Sequence, residues 1–112
     1  MSARTKNEPP TTETVTHIAA MLKAMGDPVR LKILYFLRQR EHSVSELVEE
    51  LGCSQANVSK HLSTLKTAGL VESRTDKQSR FYHVADPVVN SVCDSVCSSI
   101  ERRFGKRAIK RT

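Results

Sequence analysis

The sequence of 112 residues contains no tryptophan, and only 4% of its residues are aromatic. A hydrophobic core must therefore be built mainly from leucine, valine and isoleucine. Glycine and proline number only four each, which is typical of a globular composition. No apolar run approaches the roughly 20 residues of a membrane-spanning helix, and residues 1–10 hold no apolar leader. These absences predict a small globular protein of the cytoplasm.

Cysteine is also scarce, and an odd count of three without a leader argues against a secreted disulfide framework. No residues form a nucleophile–base pair, a carboxylate dyad or a phosphate-binding loop, so we expect no enzyme. Basic residues, in contrast, are in excess: 18 Lys and Arg face 12 Asp and Glu, giving a net charge of +6. That excess favours a polyanionic partner, because neutralising phosphates releases condensed counterions.

Helix-start and helix-stop residues predict two helices in the first part of the sequence. Apolar residues recur at helical spacing from Glu13 onward, and Gly26 ends this pattern. Asp27 and Pro28 then supply an N-cap and a proline at the first helical position of a second helix.

Two further helices are joined by a very short turn. Ser43 and Glu46 form a capping-box pattern at the start of the third helix, and Gly52 ends it. Ser54 can cap a fourth helix only two residues later, and Gly69 closes that one. Helices joined so tightly cross steeply, as they do in a helix-turn-helix.

The remaining residues predict a hairpin and a long helix. Residues 70–74 and 80–84 are strand candidates joined by the polar linker 75–79. Asp86 and Pro87 open a helix that runs to about residue 104. The whole order is α-α-α-α-β-β-α, mainly α with a small β-hairpin, which is a winged helix-turn-helix. We divide the chain into a flexible arm (1–12), a DNA-binding and dimerisation domain (13–105) and a basic tail (106–112).

The fourth helix presents a face suited to DNA. Val58, Leu62 and Leu65 cluster on one side, and no carboxylate occurs from residue 54 to residue 68. Gln55 suits paired hydrogen bonds with adenine, and Lys60 suits guanine or phosphate. A solvated helix face is the alternative, but the tight turn and the hairpin favour a recognition helix. The candidate DNA-contacting residues here are Ser54, Gln55, Ala56, Asn57, Ser59, Lys60 and Ser63.

The hairpin carries Arg74, Lys77 and Arg80 around its tip. These side chains are predicted to contact the DNA backbone or minor groove, and to position the protein more than to read sequence. The alternative is a charged tip that only keeps the hairpin soluble.

Three stretches of the sequence form a further pattern: Gly-Asp-Pro-Val-Arg-Leu-Lys-Ile-Leu at 26–34, Ser-Gln-Ala-Asn-Val-Ser-Lys-His-Leu at 54–62 and Gly-Leu-Val at 69–71. Together they resemble the ArsR/SmtB family of metal-responsive repressors. The resemblance implies a homodimer that binds double-stranded operator DNA, with the first and last helices at the dimer interface. It also implies that an inducer lowers operator affinity. By motif, the groove-facing positions are Gln55, Ala56, Ser59 and Lys60, and the wing is 74–80.

The family's known metal sites are not matched. Ser43 and Ser45 stand where some members have a Cys-x-Cys pair, and the last helix has no His and, beyond its cap, only Asp94 to offer a zinc site. Cys93 and Cys97 remain, one helical turn apart. They predict a site for trivalent arsenic or antimony or another soft metal ion acting as inducer, with no cofactor required for DNA binding. Alternatively, both thiols act as small hydrophobes at the edge of the apolar stripe.

Other interpretations stay open at this point. Cys53 is either a third ligand or a turn residue that fills a small pocket, and the sequence favours the second. The same thiols could serve a redox-sensing or reactive-sulfur-sensing repressor on this fold. A winged-helix protein-interaction module is a further alternative of another class.

Overall fold

The computed structural model describes residues 8–106. Its elements are α1 (Thr12–Met25), α2 (Pro28–Gln39), β1 (His42–Ser43), α3 (Val44–Leu51), α4 (Gln55–Thr67), β2 (Val71–Asp76), β3 (Ser79–Val84) and α5 (Val88–Phe104). The predicted winged helix-turn-helix is therefore confirmed. The arm residues 1–7 and the tail residues 107–112 lie outside the described residues. The last residue of the predicted arm is already helical, because α1 begins at Thr12.

The predicted N-caps form the expected bonds. The Asp27 carboxylate accepts hydrogen bonds from the backbone N–H groups of the second and third residues of α2, at 2.9 and 3.0 Å. At the start of α3, Ser43 and Glu46 each accept from the other's backbone N–H, at 3.1 and 2.8 Å. The Ser54 hydroxyl accepts from the Asn57 N–H at 3.1 Å. These bonds satisfy N–H groups that would otherwise have no partner within their helices.

Asp86 acts slightly differently from the prediction. Its carboxylate accepts from the Val88 N–H at 2.9 Å, but Pro87 occupies the position directly before α5. α5 therefore begins at Val88, one residue later than the start at Pro87 that an Asp86 N-cap predicts.

The sheet differs from the prediction in two respects. Its order is β1-β3-β2, and the short β1, which pairs His42 with Tyr82, was not predicted. The predicted linker 75–79 was too long, since β2 and β3 pair as far as Asp76 and Ser79. Only two residues form the turn, and Lys77 adopts a left-handed φ of 57°. Such turns usually carry glycine or asparagine, and neither residue occurs at 77–78, so a two-residue turn was not predicted here.

The core lies between α2, α3, α4 and the base of the hairpin. The inward residues predicted for α4, Val58, Leu62 and Leu65, are all fully buried. Val89 of α5 is buried as well, whereas Val96 is 55% exposed and Phe104 is 69% exposed. Three apolar residues of α1 are also about half exposed in the single chain: Val15, Ile18 and Leu22. No helix within residues 8–106 has the length and apolar character needed to cross a membrane.

Candidate nucleic-acid interface and thiol site

The outer face of α4 is open to solvent along its length. Each predicted DNA-contacting residue of this stretch is exposed: Ser54, Gln55, Ala56, Asn57, Ser59, Lys60 and Ser63. The side chains of Gln55 and Lys60 make no hydrogen bond or ion pair with another described residue. Hydrogen-bonding groups therefore stand free at the N-terminal half of the helix, where the helix dipole also favours an anion.

The two strands of the wing present different faces. Arg80 and Tyr82 are two residues apart in β3, so their side chains lie on the same face of the hairpin. Tyr82 is 7% exposed, which identifies this face as the core side. Arg74 pairs in register with Phe81 and lies on the opposite face, with its guanidinium 4.8 Å from the centre of the Phe81 ring. The three predicted wing cations thus do not share one environment.

Arg74 is held by an acidic partner. Its Nε donates to Glu41 at 3.0 Å, and a second guanidinium N–H donates to the other oxygen of the same carboxylate. This hydrogen-bonded guanidinium lowers the pKa of the Glu41 carboxyl. Lys77 and Arg80, by contrast, are exposed and form no ion pair with any residue between 8 and 106. These two are the freely available cations of the wing.

Sequence reasoning missed a polar cluster behind the recognition helix. His61 of α4 lies 3.1 Å from a terminal nitrogen of Arg30 and 3.9 Å from the Asp27 carboxylate. The His61 side chain is 15% exposed. Asp27 and Arg30 lie within one of the stretches that carry the family resemblance, but His61 is 31 residues away from Arg30 along the chain.

The two cysteines of α5 line an apolar groove of about 390 Å³ between α1, α2 and α5. Cys93 is partly buried and Cys97 is exposed. Burial raises the pKa of the Cys93 thiol above its ordinary value, and the nearby Arg38 opposes that rise. The groove is lined by Leu22, Met25, Gly26, Leu31, Tyr35, Arg38, Val92, Cys93, Val96 and Cys97.

Arg38 ties α2 to α5 on both sides of Cys93. Its Nε donates to Asn90 Oδ1 at 2.8 Å, and a terminal N–H donates to Asp94 Oδ1 at 2.6 Å. The Arg38 side chain is 24% exposed. A cation is therefore held beside the thiols, where it would stabilise negative charge on sulfur.

Cys53 lies elsewhere in the protomer. It packs against the core in the turn between α3 and α4, with its sulfur 3.8 Å from the Leu51 carbonyl oxygen. Within residues 8–106 no group of three or more His, Cys, Asp or Glu side chains is placed to hold a metal ion. One protomer therefore does not bring Cys53 to Cys93 and Cys97.

Comparison with known proteins agrees with the winged helix-turn-helix fold. Residues 27–73 match the model of the bacterial regulatory proteins of the arsR family. The chain is 35% identical over 94 residues to the HTH-type transcriptional repressor SmtB of Mycobacterium tuberculosis, covering 83% of this chain and 70% of that protein. The chain belongs to the ArsR/SmtB family. Its relatives are transcriptional regulators rather than enzymes.

Two other relatives of this ArsR/SmtB-family chain are informative. A probable mercury resistance operon repressor of Streptomyces lividans is 44% identical over 71 residues, which are 63% of this chain and 57% of that protein. A homodimeric winged helix-turn-helix DNA-binding domain of Mycobacterium bovis, solved by NMR, superimposes with a TM-score of 0.78 at 25% identity. That match covers 93% of this chain and 94% of the solved domain.

Proposed function

We propose that this protein is a homodimeric transcriptional repressor that binds double-stranded operator DNA and releases it when a thiophilic inducer binds at Cys93 and Cys97. The observation that carries the DNA-binding half is the exposed face of α4. That face is free of carboxylates from residue 54 to residue 68, and it lies on a helix anchored by three fully buried residues. A rigid helix with small polar side chains and no acid is suited to the major groove.

The wing supplies the second contact. Lys77 and Arg80 reach phosphates or the minor groove beside the groove that α4 occupies. Arg74 can contact DNA in the same way only when its ion pair with Glu41 is broken. These contacts hold the protein in register and make the affinity depend on salt.

A dimer follows from the apolar faces of α1 and α5. The half-exposed Val15, Ile18, Leu22 and Val96 would be covered by the same residues of a second copy. The homodimeric relative from Mycobacterium bovis supports this assembly. Two protomers would then present two α4 helices to half-sites about 34–36 Å apart or a multiple of that distance.

The inducer would be trivalent arsenic or antimony, or another soft metal ion. In the arsenic case, arsenous acid condenses with two thiols: two As–S bonds form, two As–O bonds break, and two water molecules leave with the thiol protons. The groove beside Cys93 and Cys97 also includes Met25 and Gly26 at the end of α1. Occupation of the groove would displace α1 and α5 and shift the dimer away from the form that spans two half-sites. The Streptomyces relative, named for mercury resistance, supports a soft metal as the class of inducer.

The test is operator binding by the purified reduced protein, using DNA from its own promoter over a range of salt concentrations. Arsenite, antimonite, cadmium and zinc are added in turn. We expect arsenite or antimonite to release the wild-type protein and Cys53→Ser, but not Cys93→Ser or Cys97→Ser. Unchanged release in Cys93→Ser would remove this site from the mechanism.

Other outcomes select the alternatives. Release by peroxide or polysulfide with none by arsenite would indicate a thiol-redox or reactive-sulfur sensor. The raised pKa of Cys93 weighs against that outcome, because the thiolate is the form that attacks an oxidant. Absence of any salt-dependent DNA binding would favour a protein-interaction module.

A further inference from the structure

Arg30 occupies the junction between the last turn of α1 and the recognition helix. Its Nε donates to the Ala24 carbonyl oxygen at 2.6 Å, and one terminal nitrogen donates to the Lys23 carbonyl oxygen at 3.4 Å. The other terminal nitrogen lies 3.1 Å from His61 Nδ1. Arginine has no acceptor, so Nδ1 must accept this bond. All three guanidinium nitrogens therefore form hydrogen bonds, two with backbone carbonyl groups of α1 and one with His61 of α4.

Asp27 holds this arrangement from the side of α2. Its Oδ2 accepts from the Arg30 backbone N–H at 3.0 Å and lies 3.9 Å from His61 Nδ1. One carboxylate oxygen thus fixes the start of α2, from which the Arg30 side chain extends, and faces the histidine ring. The cluster joins three helices through directional contacts.

The orientation of a helix that contacts DNA bases determines the angle at which its outer face meets the groove. The apolar contacts of Val58, Leu62 and Leu65 hold α4 against the core, but hydrophobic burial is non-directional and tolerates small rotations. His61 directly follows Lys60, a predicted DNA contact, so a bond at His61 fixes the angle at which that face meets the groove. Within residues 8–106, the side chains of α4 form one other hydrogen bond to another helix or strand. In it Lys66 Nζ donates to Ser73 Oγ of β2 at 2.9 Å.

We propose that the Arg30–His61 contact is a positioning device that sets the rotation of the recognition helix and links it to the end of α1. The proposal rests on the proposed DNA-binding function. Met25 and Gly26, in the same turn of α1 that Arg30 holds, line the groove of Cys93 and Cys97. A shift of that turn on inducer binding therefore passes through Arg30 to α4.

The test compares His61→Ala with His61→Gln in the full-length protein, and His17→Ala, at an exposed histidine of α1, serves as the matched control. Operator affinity, affinity for unrelated duplex DNA and the salt dependence of both are measured by fluorescence anisotropy. We expect His61→Ala to lose about tenfold in operator affinity, the size of effect expected for a lost hydrogen bond to a charged group. Affinity for unrelated DNA and its salt dependence stay unchanged, because the phosphate-contacting cations remain. His61→Gln regains most of the loss, since its amide oxygen can accept from Arg30.

Three outcomes decide against the proposal. Wild-type operator affinity in His61→Ala would overturn it. An equal loss of operator and unrelated DNA binding, with a lower melting temperature, would reduce the contact to a fold-stabilising role. Failure of the wild-type protein to bind its operator would overturn the proposed function and this inference with it.

Coupling to the inducer is tested separately with Arg30→Lys. Lysine keeps the positive charge but lacks the fork that bridges two helices. The ratio of operator affinities without and with arsenite is expected to fall at least threefold relative to wild type. An unchanged ratio would show that the signal does not pass through Arg30.

Discussion

The guanidinium of Arg74 in β2 is paired with the carboxylate of Glu41, which lies between α2 and β1. Two N–H groups of Arg74 donate to the two oxygens of Glu41, and the pair spans 33 residues of sequence. Arg74 also lies over the Phe81 ring. Its charge is therefore offset within the protein, whereas that of Arg80, on the other face of the hairpin, is not. The two arginines should contribute differently to DNA binding.

We accordingly expect Arg80→Ala to weaken DNA binding more than Arg74→Ala. Loss of one phosphate contact reduces the slope of log affinity against log salt by about 0.9. Arg80→Ala should show that reduction for each wing in contact with DNA, and Arg74→Ala should leave the slope nearly unchanged. Salt titrations of the two alanine variants on one operator fragment check this.

Glu41→Ala provides the control for this pair. Removing the carboxylate frees Arg74 of its acceptor, so we expect Glu41→Ala to bind unrelated DNA more tightly and with a steeper salt dependence than wild type. Equal slopes for Arg74→Ala and Arg80→Ala would mean that DNA itself draws Arg74 away from Glu41.

A second prediction concerns base reading by Gln55. A glutamine that pairs with adenine contributes about 1–3 kcal/mol of discrimination against the wrong base. Gln55→Ala should lose operator affinity by about that amount, with an unchanged salt slope and relaxed preference at one base pair of each half-site. Binding to a panel of operators with single base changes measures this.

The matched control for Gln55 is Gln39→Ala, which removes an exposed glutamine at the end of α2. It should bind every operator of the panel as wild type does. If Gln55→Ala keeps the full base preference, α4 contacts only the backbone at this position.

The local features of the fold were readable from the sequence. Asp27, Ser43 and Ser54 act on N–H groups two or three residues away, so their cap patterns are visible in a few neighbouring residues. The apolar spacing of α4 was equally informative, because burial of one face leaves a 3.6-residue period.

The contacts that the sequence did not predict at all depend on distant partners. β1 exists only because His42 pairs with Tyr82, 40 positions later. Likewise, nothing near Arg74 or His61 indicates that Glu41 and Arg30 are their partners. A charged side chain in one sequence has many possible partners, and only the tertiary fold selects one.

A third prediction addresses the dimer face. Val96 of α5 is 55% exposed in the single chain and lines the thiol groove. Placing a glutamate there would bury an unpaired charge at the proposed interface, which is strongly unfavourable. Val96→Glu should therefore be monomeric by sedimentation and should lose operator binding while its helical circular dichroism is kept.

Ser98→Glu is the control for Val96→Glu, because two residues along a helix turn the side chain by about 200° to the opposite face. This exposed position should accept the charge and leave a dimer. A dimeric Val96→Glu would place the interface away from this part of α5.

The last prediction follows from the protonation of Cys93. Burial raises the pKa of this thiol, so the free protein keeps its proton through neutral pH. Cadmium binds the thiolate and must expel that proton, so its affinity should rise by about tenfold per pH unit for each such thiol, up to the raised pKa. Arsenous acid carries the proton away as water, and its affinity should change little over the same range. Calorimetric titrations at pH 6.5, 7.5 and 8.5 measure the slope of log affinity against pH for cadmium and for arsenite.

In Cys93→Ser the slope for cadmium should fall by about one, because one thiol proton fewer is released. In Cys53→Ser this slope should match wild type. An equal pH slope for cadmium in wild type and Cys93→Ser would show that this thiol is not a ligand, since a group that does not bind the ion cannot release its proton to it.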